Sequence, residues 1–163
     1  MKKLTGLLAL LLLATGFTVM LQGPAQADPL PLTFQIRSVP YGKCAGTDVN
    51  PPYPMVGRSC DPTSLDQRWV YDPLTQQITN GRLSTLGRCL SFENSDGTGL
   101  LKYLQMVACD AADVTQKWSR DGDVLLTVYQ YQGQPYLLNN EGGVNFKWYL
   151  RRGEGSAYTF PVL

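Results

Sequence analysis

Short runs of β-branched and aromatic residues, several alternating with polar residues, recur along the chain. Turn-forming pairs separate these runs, among them Asn80-Gly81, Asp121-Gly122 and Gly142-Gly143. This pattern is typical of many short strands joined by tight turns, and it predicts a closed all-β architecture. The predicted strands lie in residues 33–39, 68–71, 100–107, 124–131 and 144–150, and short helical turns are predicted at 63–67 and 111–116.

One stretch of the pattern occurs twice. Residues 60–72 read CDPTSLDQRWVYD and residues 109–121 read CDAADVTQKWSRD, so both follow C-D-x5-Q-[KR]-W-x-x-D without a gap. Upstream, both copies also begin with G-[KR]-C, at Cys44 and at Cys89. Such repeats are typical of units that bury their apolar faces only against one another.

The remainder of the chain has the length of a third copy that lacks cysteines. In this alignment Tyr136 takes the place of Cys89, Arg151 takes the place of Cys109, and residues 158–160 replace Gln-Lys-Trp. The sequence therefore predicts one domain, residues 28–163, with lobes at about 32–73, 74–121 and 122–163.

The first 27 residues have the parts of a secretory signal peptide. Lys2 and Lys3 precede an apolar run, and Ala25-Gln26-Ala27 forms an A-x-A cleavage signal. Cleavage before Asp28 predicts a secreted protein, extracellular or periplasmic. An uncleaved membrane anchor is the alternative, because residues 4–21 approach the length that spans a bilayer.

The four cysteines are expected to form disulfides, because an even number in an exported chain is the usual disulfide pattern. Three pairings are possible, and the repeat favours Cys44 with Cys60 and Cys89 with Cys109. A zinc site is the weaker alternative, since the chain has no histidine and no C-x-x-C. No metal or other cofactor is predicted.

Paired cysteines followed by Q-x-W, twice in register, resemble the ricin-type (ricin B-type) β-trefoil lectins, which carry three such repeats around a pseudo-threefold axis. The resemblance covers the mature chain, chiefly residues 42–121, and implies a β-trefoil of three pseudo-repeats, two with a local disulfide. It also implies that the Q-x-W residues are structural: each Trp can bury on the order of 200 Å², and each Gln hydrogen-bonds nearby backbone. These residues are Gln67, Trp69, Gln116 and Trp118.

Sugar binding in this family depends on other positions. A binding lobe has an Asp two residues after its first Cys and an aromatic residue two before its second Cys. It also has a polar residue two before that aromatic and an Asn just before the Gln of Q-x-W. The first lobe departs from this pattern: the Asp, polar, aromatic and Asn positions hold Gly46, Val56, Arg58 and Asp66. The resemblance leaves Asp48 and Asp66 as its candidate ligands.

The second and third lobes keep other parts of the set. The second lobe has Ser91, Val107 and Thr115 at the Asp, aromatic and Asn positions, while Gln105 matches the polar position and Glu93 lies nearby. The third lobe has Tyr149 at the aromatic position and a polar run, Asn139, Asn140 and Glu141, just past the missing Asp. The predicted carbohydrate-binding residues are Asp48, Asp66, Glu93, Gln105, Asn139 and Tyr149.

The resemblance implies a secreted carbohydrate-binding module with degenerate sugar sites, whose partners are glycans or glycoconjugates. The alternative is a non-catalytic protein-interaction subunit, similar to the trefoil delivery subunits of cytolethal distending toxins, that has lost sugar binding.

No enzyme activity is predicted, because without histidine there is no Ser-His or Cys-His nucleophile pair. With 14 basic and 13 acidic residues, the charge does not favour nucleic acid, and no membrane insertion is predicted after signal cleavage.

Overall fold

The computed structural model of the protein describes residues 33–94, 101–141, 147–152 and 155–163. At the edges of its gaps, the side chains of Glu93, Asn94, Leu101 and Lys147 also lie outside the described part. The predicted signal peptide falls outside these residues as well, and cleavage stays a prediction. Among the residues described, no helix is long and apolar enough to cross a membrane.

The described part of the chain forms thirteen strands and three 3₁₀ helices, which confirms the all-β prediction. The strands are β1 (Thr33–Phe34), β2 (Arg37–Ser38), β3 (Lys43–Thr47), β4 (Met55–Ser59), β5 (Trp69–Asp72), β6 (Gln77–Asn80), β7 (Arg88–Asn94), β8 (Leu101–Ala108), β9 (Trp118–Asp121), β10 (Val124–Tyr131), β11 (Gln134–Glu141), β12 (Lys147–Arg152) and β13 (Tyr158–Thr159). The 3₁₀ helices are Leu65–Gln67 and Val114–Gln116, at the two predicted helical turns, and Ser84–Leu86, which the sequence pattern did not predict.

Seven of the strands form a closed barrel. Ladders join β1 to β5, β5 to β6, β9 to β10 and β13 to β2. Two backbone hydrogen bonds complete the ring: Trp118 N–H donates to Gln76 O at 2.9 Å, and Tyr158 N–H donates to Asp123 O at 2.8 Å. Closure satisfies edge groups that an open sheet would expose.

Three hairpins, β3–β4, β7–β8 and β11–β12, meet one another through their second strands. Val56 of β4 pairs with Lys147 of β12, Tyr149 of β12 pairs with Tyr103 of β8, and Gln105 of β8 pairs with Pro54 beside β4. These contacts form a triangle of strands, one from each lobe. A closed barrel with three hairpins in this arrangement is a β-trefoil.

Trp69 and Trp118 are fully buried at equivalent places in the first two lobes. Each indole N–H donates at 3.0 Å to a backbone oxygen of its own lobe, Ala45 O and Leu90 O respectively. The predicted disulfides Cys44–Cys60 and Cys89–Cys109 are both present, and no cysteine is free. The predicted disulfide pairing is therefore confirmed, and both tryptophans lie in the core.

The third lobe corrects the predicted alignment. Trp69 pairs with Asn80 and Trp118 with Thr127, and the equivalent pair in the third lobe is Tyr158 with Ser38. Tyr158, fully buried, therefore occupies the Trp position that the sequence alignment gave to Phe160.

The start of the third lobe is also displaced by one residue. Cys89 pairs with Val107 and Cys44 with Arg58, and the equivalent pair is Leu137 with Arg151, rather than a pair that contains Tyr136. The physical reason is a register shift between Leu126 and Gln130 on β10. A β-bulge of this kind inserts an extra residue into one strand, and alignment on the other lobes does not include it.

Gln116 connects three parts of the second lobe from a buried position. Its Nε2 donates to Ala108 O at 3.0 Å, and its Oε1 accepts from Asp110 N–H at 3.0 Å. The Oε1 also accepts from Gln77 Nε2 at 2.7 Å, which ties the barrel strand β6 into the same cluster. In the first lobe Gln67 makes the same bonds with Ser59 O and Asp61 N.

Gln116→Ala is expected to lower the free energy of unfolding by about 2–3 kcal/mol, because it leaves several buried polar groups without partners. Urea unfolding followed by tryptophan fluorescence measures this change. Gln130→Ala, at an exposed position on β10, serves as the matched control and should shift stability by less than about 0.5 kcal/mol. Equal effects of the two substitutions would contradict the structural role of Gln116.

Candidate functional site

The first lobe fills its predicted sugar position with its own side chains. Arg58 Nε lies 2.9 Å from Asp66 Oδ2 in an ion pair, and Asp66 Oδ1 also accepts a hydrogen bond from Ser64 Oγ. A Cβ atom added to Gly46 would lie 3.1 Å from Asp66 Oδ2 and 3.1 Å from Arg58 Cδ. The ion pair thus occupies the space in which a lectin of this type places its Asp.

Asp48, the other candidate in the first lobe, caps a turn. Its Oδ1 accepts hydrogen bonds from the backbone N–H groups of Val49, at 2.6 Å, and Asn50, at 3.3 Å. This is the usual local role of an aspartate in a turn. Both predicted residues of the first lobe therefore have partners within the protein.

The second lobe closes the equivalent positions with hydroxyl groups. Ser91 Oγ and Thr115 Oγ1 lie 2.8 Å apart, and Thr115 also donates to Asp113 Oδ1 from its hydroxyl at 2.8 Å and from its backbone N–H at 2.9 Å. Burial raises the pKa of Asp113, but the hydrogen bonds from Thr115 and Gln116 outweigh burial and leave the pKa below its ordinary value. The carboxylate stays ionised and holds Thr115 in place.

In the third lobe Asn139 occupies the Asp position itself, because the bulge on β10 shifts the alignment by one residue. Asn139 Oδ1 accepts a hydrogen bond of 2.6 Å from Ser156 Oγ and one of 2.8 Å from Asn140 N–H. On β12 the displacement is two residues: Arg151, which the alignment placed opposite Cys109, pairs with Leu137 at the aromatic position, and Tyr149 pairs with Asn139 at the polar position. The sequence had placed Asn139 just past the Asp position and Tyr149 at the aromatic one.

Beneath Asn139, the adjacent side chain on β11 enters the core. Asn140 Nδ2 donates to the hydroxyl oxygen of Tyr158 at 3.1 Å, and both residues are buried. Burial, the largest of several causes, raises the pKa of Tyr158 far above its ordinary value. The phenol is therefore neutral and accepts its hydrogen bond from Asn140 inside the core.

Four strands bring the candidates of the second and third lobes onto one surface. In the order β7, β8, β12 and β11, direct cross-strand partners are Glu93 with Tyr103, Tyr103 with Tyr149, and Tyr149 with Asn139. Direct partners on neighbouring strands point to the same face of a sheet. We call these four residues the interlobe row, and the side chain of Glu93 lies outside the described residues.

Gln105 lies beside the interlobe row. It stands two residues from Tyr103 on β8, so both side chains point to the same face. The inward neighbours Leu104, Met106 and Trp148 are buried, whereas Tyr103 keeps 46% of its surface exposed. The face that carries the row is therefore the outer one.

Three of the six predicted residues belong to the interlobe row, namely Glu93, Asn139 and Tyr149. A fourth, Gln105, lies beside it. Asp48 and Asp66 belong to the first lobe and lie apart from this row in the sheet order. Tyr103 was missed, because the family pattern assigns no role to its position. Its place two residues before Gln105 on an alternating strand was the signal that could have indicated it.

The outer face combines groups that can contact a polyhydroxylated ligand. Tyrosine rings supply flat apolar surfaces with polar edges, and Asn139 and Gln105 supply amide groups. Within the described residues, no group of three or more His, Cys, Asp or Glu side chains is arranged to hold a metal ion.

Solved structures share this architecture. A β-trefoil lectin of the Vibrio vulnificus hemolysin/cytolysin, with N-acetyl-D-lactosamine bound, is 22% identical over 85% of this chain and 96% of its own, with a TM-score of 0.64. An earthworm lectin C-terminal domain mutant in complex with 6'-sialyllactose is 14% identical over 82% of this chain and 100% of its own, with a TM-score of 0.60. The chain has the β-trefoil fold of these lectins. No protein-family model and no curated protein matches it.

The Arg58–Asp66 pair is expected to stabilise the first lobe. Arg58→Ala should lower the free energy of unfolding by about 1 kcal/mol, a modest value because the Arg58 side chain is partly exposed to water. A double-mutant cycle with Asp66→Asn, measured by urea unfolding, isolates the coupling between the two side chains. Additive effects of the two substitutions would show that the pair contributes nothing.

Proposed function

We propose that this protein is a secreted, lectin-like module that binds glycans on the outer face of β7, β8, β12 and β11. The observation that carries the proposal is the interlobe row, in which Tyr103 and Tyr149 are direct neighbours and Asn139 follows on the next strand. An aromatic ring can stack on the apolar face of a sugar ring, while amide groups bond its hydroxyls.

Two further observations support glycan binding. The β-trefoil neighbours include one named as a lectin with N-acetyl-D-lactosamine bound and an earthworm R-type lectin C-half in complex with GalNAc. The site is also an open surface rather than an enclosed cleft, since Tyr103 remains 46% exposed. Shallow sites of this kind gain strength through several simultaneous contacts.

Secretion is part of the same proposal. The basic residues, apolar run and A-x-A of residues 1–27 support export. Two disulfides in one small domain suit an oxidising compartment, which extracellular and periplasmic proteins share. Chain export and disulfide formation therefore point to the same location.

A protein-interaction subunit is the second candidate function. The observation that favours it is that the first two lobes close their sugar positions with internal contacts, Arg58 to Asp66 and Ser91 to Thr115. A trefoil that has lost sugar binding in this way can still present its surface to a protein partner.

The first experiment is a glycan array probed with residues 28–163, multimerised to raise avidity. Tyr149→Ala should reduce binding at least about tenfold, equivalent to about 1.4 kcal/mol, because it removes a stacking ring at the centre of the interlobe row. Tyr131→Ala is the control: Tyr131 is an exposed tyrosine that lies away from the row, near the turn between β10 and β11, against the guanidinium of Arg152.

Binding that Tyr131→Ala preserves and Tyr149→Ala removes supports the proposed site. Binding that survives Tyr149→Ala would move the site to another surface, with the first lobe tested next through Asp66. An array on which the folded chain binds no glycan would reject carbohydrate binding and favour the protein-interaction candidate.

A further inference from the structure

The two tyrosines at the centre of the interlobe row come from different lobes. Tyr103 lies on β8 of the second lobe and Tyr149 on β12 of the third, and the two strands pair directly at the triangle where the hairpins meet. A site that contains both rings therefore crosses a lobe boundary. The resemblance to ricin-type lectins, which assigns one sugar site to each lobe, does not imply such a site.

We propose that the site takes an extended oligosaccharide that lies across the boundary between the second and third lobes, with Tyr103 as a second stacking residue. This inference rests on the proposed function and specifies its ligand: a chain of at least two sugars rather than a single terminal sugar. It also assigns a role to Tyr103, a residue outside the family's sugar-binding pattern.

The dimensions of the row support a chain. Neighbouring strands lie about 4.8 Å apart, so the three steps from β7 to β11 span about 14 Å. A pyranose ring is similar in size to one phenol ring, and one sugar therefore covers one tyrosine. Two adjacent tyrosines on neighbouring strands present stacking surface for two consecutive sugars.

Within each single lobe, internal hydrogen bonds already occupy the positions that bind sugar in ricin-type lectins. In the second lobe Ser91 and Thr115 bond each other at 2.8 Å, and Ser91 is almost fully buried. In the third lobe Asn139 Oδ1 already accepts two hydrogen bonds, one from Ser156 and one from Asn140. The side-chain carbonyl of Asn139 is thus already engaged within the protein.

Polar groups flank the two rings on this face. Asn139 lies beyond Tyr149 at the third-lobe end of the row. Gln105 lies two residues along β8 from Tyr103, where it pairs with Ser91. A chain that stacks on both rings therefore meets an amide in each lobe, whereas a single sugar on Tyr149 is centred on the third lobe.

The test compares ligands that differ in length. Residues 28–163 are titrated by calorimetry with galactose, with N-acetyllactosamine, and with linear chains of two and three N-acetyllactosamine units. We expect affinity to rise about tenfold between galactose and the longer chains, the upper range for an added aromatic contact. Tyr103→Ala should abolish that gain, so that the longer chains bind no more tightly than galactose, whereas Tyr149→Ala should weaken every ligand.

The controls separate folding from binding and this inference from the proposed function. Tyr103→Phe keeps the ring and should retain the gain with length, and Tyr131→Ala should bind as the unaltered chain does. Length-independent affinity, or equal weakening of short and long ligands by Tyr103→Ala, would overturn the interlobe site while carbohydrate binding stands. A folded chain that binds no member of the series and no glycan on the array would overturn both.

Discussion

The fold depends on hydrogen bonds to the backbone groups that become buried where the first and second lobes pass from hairpin to barrel. Gln116 makes these bonds in the second lobe, to Ala108 O and Asp110 N, and Gln67 makes those in the first. An unpartnered buried amide or carbonyl is costly, so the short 3₁₀ helix before each Trp can pack inward only with this glutamine in place. The positions of Trp69 and Trp118, and hence of the core, follow from the same bonds.

The third lobe has smaller residues at the positions of this glutamine and its neighbour. Counting back from Tyr158, Ser156 takes the glutamine position, and Gly155 takes the one that Asp66 and Thr115 hold in the other lobes. A Cβ at Gly155 would lie 2.9 Å from Val124 Cγ1, so the close approach of the chain to β10 requires glycine. The described part of this lobe has no disulfide, and a buried hydrogen bond joins Asn140 of β11 to Tyr158 of β13.

Much of the fold could be predicted because, in the two intact repeats, the residues that determine the structure can be recognised by their type. Cysteine, glutamine and tryptophan each have one chemical role at their positions, and the disulfides, the two 3₁₀ helices and the buried indoles followed from them. The third lobe was less predictable, because a β-bulge leaves no signature in side-chain identity and Tyr158 replaces Trp in the core.

The candidate site was partly predictable for a related reason. Gln105, Asn139 and Tyr149 were named from the lobe pattern, but pairing between β8 and β12 is a contact between lobes, which a pattern within one lobe does not contain.

The first strand of the fold, β1, contacts residues that follow the last strand, β13. Leu163 N–H donates to Thr33 O at 3.2 Å, and Phe34 pairs with Val162. The barrel is therefore a ring in which the third lobe also adjoins the first. A permuted chain that linked Leu163 to Thr33 and had its new ends at the Asp121-Gly122 turn would preserve the packing of β8 against β12. The interlobe surface therefore depends on the closed ring and not on where in the ring the chain starts.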